Sequence, residues 1–186
     1  ITDDGKRFVF RIRPGIYFAD DPAFKGQKRE LTAADYVYSV KRQYDPKFKS
    51  PNLFQLENAK ILGLSELRRE LIAAKKPFDL DRPVEGLRVL DRHTFQIRLA
   101  DPAPRFVQSL ANVAFAAMAR EVVEAYGENL MGHPVGTGPF RLASWRRASY
   151  IVLERYPGSP HERYAGKAPA VYRTAQQAAG ALAGRK

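Results

Sequence analysis

Between Arg7 and Arg13 the apolar residues Phe8, Phe10 and Ile12 alternate with Arg7, Arg11 and Arg13. A period of two predicts a half-buried strand, and Pro14-Gly15 ends it. After a loop containing Asp20-Asp21-Pro22 and Gly26, Thr32-Ala33-Ala34-Asp35 has the spacing of a capping box. A helix is predicted from there, with Ala33, Val37, Val40 and Tyr44 on one face. Lys41 and Arg42 suit the dipole in its last turn, and Asp45-Pro46 stops it. Leu64, Leu67, Leu71 and Ile72 form a second helical stripe, closed by Lys75-Lys76-Pro77.

Leu87 and Val89, then Asp91-Arg92-His93, then Phe95, Ile97 and Leu99 alternating with Thr94, Gln96 and Arg98 predict a β-hairpin. Pro102 and Pro104 lead into a third helix carrying Phe106, Val107 and Leu110. A fourth runs near Arg120 to Tyr126, with Gly127 placed to end it in a left-handed conformation. Pro134-Val135-Gly136-Thr137-Gly138-Pro139 reads as a tight turn that uses glycine flexibility, ahead of two short strands at Phe140–Trp145 and Tyr150–Arg155. From Gly158 on, Ala, Gly, Arg and Gln replace large apolar side chains, so residues 158–186 are expected to be loosely attached or weakly helical. The pattern as a whole predicts an α+β domain, with a small mixed or antiparallel sheet and about four packed helices.

Composition narrows the chemistry. The 186 residues are 45% hydrophobic, enough for one sizeable core, and 31 Lys and Arg against 20 Asp and Glu give a net charge of +11. That charge favours acidic partners in encounter. Zero cysteines remove disulfides, thiol catalysis and cysteine-based zinc sites. No apolar run approaches the roughly 20 residues of a membrane span, and no basic and apolar leader opens the sequence; any signal peptide is expected to lie outside these residues.

The candidate sites read as follows. His93, His133 and His161 sit in three separate turn-like segments without the i, i+4 spacing of a helical metal pair, so no metal site is expected. Asp20 and Asp21 lack the alternating acidic loop that Ca²⁺ uses. Gly136-Thr137-Gly138 is followed by Pro139-Phe140-Arg141, which fits neither a Walker loop nor a dinucleotide fingerprint. No nucleophile elbow or triad context is present, so an enzyme has no anchor here. A basic nucleic-acid-binding domain is the alternative reading, but most aromatics fall at core positions, and a single-strand platform needs them facing solvent.

Four stretches in order resemble one family. Phe8 to Phe18 (FVFRIRPGIYF), Leu31 to Arg42 (LTAADYVYSVKR), Leu87 to Leu99, and Pro134 to Leu142 (PVGTGPFRL) followed by Trp145 and Ile151 to Arg155 are similar to motifs of bacterial extracellular solute-binding proteins of family 5. The resemblance covers Phe8 to Pro157. It implies a periplasmic-binding-protein-like (type II) lobe fragment, with residues 1–157 forming part of the first lobe of a two-lobed clamp. By the same resemblance the whole protein would be a periplasmic or otherwise extracytoplasmic, monomeric receptor. It would capture peptides or small solutes for ABC permease subunits, without cofactor, catalysis or nucleic acid. Within these residues, ligand contacts are expected at Asn112, Val113, Ala114 and Phe115 and at the turn Gly136, Thr137 and Gly138, the second more as part of the hinge side. The loop Ala19 to Glu30 departs from the family pattern in lacking an Asp-Gly pair, and the tail after Pro157 has no match.

Overall fold

The computed structural model describes residues 1–2 and 4–157; the expectations for residues 158–186 lie outside the described residues. Strand β1 (Arg7–Arg11) is shorter than the alternation suggested, because Ile12 N–H leaves the ladder to donate to His93 O. The predicted hairpin is present as β2 (Leu87–Asp91) and β3 (Thr94–Arg98), giving an antiparallel sheet in the order β1-β3-β2. Register places Phe8 opposite Ile97, Phe10 opposite Phe95 and Leu87 opposite Ile97, so one face of the sheet is apolar.

Helix α1 (Ala33–Tyr44) lies over that face. At its start the Asp35 carboxylate accepts from Thr32 N–H at 2.7 Å and from the Thr32 hydroxyl at 2.8 Å, as the capping spacing predicts. Ala33, Val40 and Tyr44 are buried in the main core with Phe8, Phe95, Ile97, Leu99 and Phe106, and Val37 packs at its edge. Helix α2 (Leu53–Ala59) was not foreseen, since Pro51-Asn52 and a seven-residue span carry too little periodicity, and it brings the count to five helices. In α3 (Leu64–Ala73) Leu64, Leu67 and Leu71 are buried, but Ile72 is half exposed: it continues the stripe past the width of the contact with α1.

Helix α4 (Phe106–Leu110) buries Phe106 and leaves Val107 exposed. Helix α5 (Arg120–Tyr126) ends at Gly127, whose positive φ of 50° suits glycine, but whose ψ of −119° is not the left-handed helical conformation predicted for it. Phe18, Phe24, Leu31, Ala119 and Val122 make a second, smaller core that ties the loop before α1 to α5. Strands β4 (Phe140–Arg146) and β5 (Tyr150–Arg155) form a separate two-stranded ribbon, so the expected single sheet is two sheets, both antiparallel. Phe140, Tyr150, Ile151, Val152 and Leu153 are all at least 45% exposed on it.

The close crossing at Gly86 joins these parts. Gly86 N–H donates to Leu62 O at 2.8 Å, Leu62 N–H to Arg98 O at 3.1 Å and Arg98 N–H to Gly86 O at 2.8 Å. A Cβ at residue 86 would stand 2.5 Å from Leu62 O and 2.9 Å from Arg98 O, so only glycine fits.

Candidate functional site

After α4 the chain makes a short 3-10 turn, Val113–Phe115, and the Asn112 side-chain oxygen accepts from Ala114 N–H at 3.0 Å to start it. Phe115 points into the main core, whereas Val113 is 87% exposed. What fixes this turn is a buried amide on α1. Gln43 Nε2 donates to Ala114 O at 2.9 Å, and Gln43 Oε1 accepts from the Ser50 hydroxyl. One turn earlier on the helix, the Ser39 hydroxyl donates to Asp35 O and accepts from Met118 N–H at 2.8 Å. Gln43 and Ser39 were missed in the sequence because a polar residue on a helix reads as solvent-facing. The usable signal was their i, i+4 spacing, with Gln43 on the same side as the apolar residues Val40 and Tyr44.

The second candidate segment is attached elsewhere. Gly136 O accepts from Ala19 N–H at 2.8 Å, Pro139 O accepts from Tyr156 N–H at 2.8 Å, and Val135 packs on the smaller core. Neither Gly136 nor Gly138 is in the left-handed region and neither is sterically crowded, which corrects the expectation of a turn dependent on glycine flexibility. Backbone hydrogen bonds to Ala19 and Tyr156 shape it instead. The 112–115 turn thus belongs to the main core and α1, and the 136–138 turn to the Ala19 loop and the ribbon.

Two concavities lie beside these elements. An apolar pocket of about 390 Å³ is lined by Phe10, Tyr36, Phe95, Val107, Leu110 and Phe115, so Phe115 is the one candidate that borders a cavity of this kind. Its wall is a stack: Phe10 and Phe95 centroids are 4.9 Å apart, and Tyr36 and Phe95 5.1 Å apart. A larger cleft of about 740 Å³, with charged groups among its lining residues, lies between α1, the 80–89 segment and α5. At its base Lys41, only 4% exposed, donates to Leu80 O at 2.9 Å and Arg82 O at 2.7 Å. Burial pulls the Lys41 ammonium below the usual lysine range, against the opposing charges of Asp81 and Asp79. Among the other charges of the cleft, Arg29 pairs with Asp35 and Glu121, Arg120 with Asp81 and Glu124, and Glu85 with Arg98, while Arg88 borders it without an ion pair among the described residues.

His93 bonds to Glu30 at 3.2 Å and His133 stacks on Tyr126 at 4.1 Å, while His161 lies outside the described residues. No group of three or more His, Cys, Asp or Glu among the described residues is placed to hold a metal ion. Backbone carbonyls, an exposed valine and an aromatic-walled pocket are contacts of the kind a small-solute site uses.

Comparison with known proteins bears on this architecture directly. The model of bacterial extracellular solute-binding proteins, family 5 (middle region), matches residues 1–177. The periplasmic oligopeptide-binding protein OppA of Escherichia coli K12 is 31% identical over 157 residues, which are 83% of this chain and 26% of that protein. Among solved structures, the murein tripeptide binding protein MppA of Escherichia coli superimposes with a TM-score of 0.66 at 27% identity, covering 84% of this chain and 28% of that one. Haemophilus influenzae OppA, in complex with RPPGFSPFR, gives 0.63 at 26% identity, with the same coverage of each. The chain spans about a quarter of the length of the curated relatives it matches. With the match running over nearly the whole chain and the fold shared, it belongs to the bacterial extracellular solute-binding proteins of family 5.

Proposed function

We propose that the chain is part of the substrate-binding component of an ABC importer, which captures peptides or related small solutes outside the cytoplasm and delivers them to permease subunits in the membrane. The observation that carries this reading is the family match over residues 1–177, with oligopeptide- and murein-tripeptide-binding proteins among the relatives. On this reading residues 1–157 form part of the first lobe, and the whole protein works as a monomer in the periplasm or its equivalent. It makes and breaks no bonds: capture is closure of two lobes on a ligand.

Within the chain, the Asn112–Phe115 turn contributes apolar and backbone contacts through Val113 and Ala114. The Gly136–Gly138 turn shapes the hinge side. Support for the first comes from its construction, since Gln43 and Asn112 hold the turn rigid while Val113 stays exposed. A rigid apolar contact loses little entropy when a ligand is bound.

The test is titration calorimetry of the full-length parent protein, stripped of bound peptide, against peptides of two to nine residues. A dissociation constant of about 10 μM or tighter for at least one peptide class is expected. The isolated 186 residues should bind the same peptide at least about a hundredfold more weakly, because a clamp missing one jaw loses more than 2.7 kcal/mol of contact, a figure equivalent to about a hundredfold. Full-length protein that binds no peptide, or an isolated chain that binds as tightly as the parent, would refute the proposal.

A further inference from the structure

The sheet has a second face, away from α1, and its chemistry is unusual. Register sets Arg7 opposite Arg98, Val9 opposite Gln96, Arg11 opposite Thr94 and Arg88 opposite Gln96. Directly opposed residues share a face. Arg7, Arg11, Arg88 and Arg98 therefore surround Gln96, which is only 6% exposed beneath them and accepts from Arg7 Nε at 2.7 Å. Among the described residues, two carboxylates reach the rim. Glu85 is paired with Arg98 at 3.0 Å, and Asp91 is turned onto the N–H of His93 at 2.8 Å across the hairpin turn. The Arg11 and Arg88 side chains have no hydrogen bond or ion pair among the described residues.

Like charges set directly opposite each other weaken a sheet, so the Arg7–Arg98 pair opposes folding. Protection of the edge strands β1 and β2 from aggregation calls for charge, but either sign serves, and it asks for nothing at Arg98 on the central strand. A face on which arginine predominates, two of the four side chains being without a hydrogen-bond or ion-pair partner among the described residues, is explained by an anionic occupant. The face is about 13 Å long between Arg7 and Arg11, with Val9, Gln96 and Thr94 set among its arginines. A protein partner would have to match that shape and fixed arginine spacing. A layer of mobile phosphodiester headgroups would not, and guanidinium groups bind phosphate oxygens in pairs.

We propose that this arginine face docks the protein on an anionic phospholipid surface. Docking would hold a receptor that serves a membrane permease close to it, a setting that rests on the function proposed above. The vesicle assay itself reads no peptide, so the two can fail separately.

The experiment is sedimentation of the protein with phosphatidylcholine vesicles containing about one-third phosphatidylglycerol, at 0.1 M and 0.5 M salt, both conditions chosen around the range where screening becomes strong (~0.1–1 M). Each arginine is worth roughly fivefold in partitioning at low salt. The R7Q/R11Q/R88Q/R98Q variant should lose about a hundredfold or more. A K28Q/K47Q/K49Q/K76Q variant, with the same change in net charge on exposed loops elsewhere, should retain binding within about threefold. If the quadruple arginine variant does not fold, R11Q/R88Q, which removes only unpaired side chains, should still lose about tenfold or more. Equal loss in both sets would overturn the proposal in favour of net charge alone. Binding to single-stranded DNA as tight as to the vesicles, with the same arginine dependence, would overturn it in favour of a nucleic acid.

Discussion

Gly86→Ala tests whether the three-way backbone crossing holds the main core together. The new methyl would meet Leu62 O at 2.5 Å and Arg98 O at 2.9 Å, and both are backbone atoms that cannot rotate away. The 61–63 segment must retreat, giving up the bonds from Gly86 N–H to Leu62 O and from Leu62 N–H to Arg98 O. Two hydrogen bonds contribute about 1 kcal/mol each. Forced overpacking adds about 1–3 kcal/mol, and the stiffer unfolded chain returns about 0.4–1 kcal/mol. The net loss is about 2–4 kcal/mol, a large share of the roughly 5–15 kcal/mol that holds a domain folded. In urea denaturation the midpoint should fall by about 1–2 M with the slope unchanged. Gly132→Ala is the control, because a Cβ there meets nothing within 4 Å and the glycine is not left-handed; it should stay within about 0.5 kcal/mol of wild type. A Gly86→Ala midpoint indistinguishable from that of the control would refute the reasoning.

Three further outcomes follow from single groups. The Glu30 carboxyl, bonded by Gly15 N–H, Arg92 and His93, is lowered from 4.5 to about 2; a depressed carboxyl contributes stability above its unfolded value that is lost as pH falls towards 2. Glu30→Gln should therefore destabilise at pH 7 and converge with wild type near pH 2, as read by urea midpoints across that range. The Tyr44 hydroxyl is buried without a well-formed hydrogen bond among the described residues, so Tyr44→Phe should change thermal stability by no more than about 0.5 kcal/mol or raise it. Lys41→Met removes both donors that hold Leu80 O and Arg82 O, and hydrogen–deuterium exchange should rise in residues 79–86 at least about tenfold while the β3 amides stay protected.

Much of the fold was legible because local periods are strong where an element meets the core on one side only. The alternation of Phe8, Phe10, Phe95 and Ile97, the Ala33–Tyr44 stripe and the Thr32–Asp35 start signal each predicted what the structure contains. Short or wrapped elements carry no such period, and α2 and the outward Ile72 went unread for that reason. The candidate turns were placed by family resemblance and not by physics. Their anchors, Gln43 to Ala114 and Ala19 to Gly136, join residues 71 and 117 positions apart, and no local pattern reports contacts of that range.

The sequence by itself determined most of the elements, the membership in a solute-binding family and the absence of cysteine chemistry. Tertiary structure alone decided that Gly86 must be glycine, that Lys41 and Gln43 are buried clips rather than solvated side chains, and that four arginines far apart in sequence share one face. The reason is common to all three. Periodicity records which side of an element faces apolar surroundings, whereas close approach, satisfied burial and pooled charge are properties of register between segments, which exists only once the chain has closed on itself.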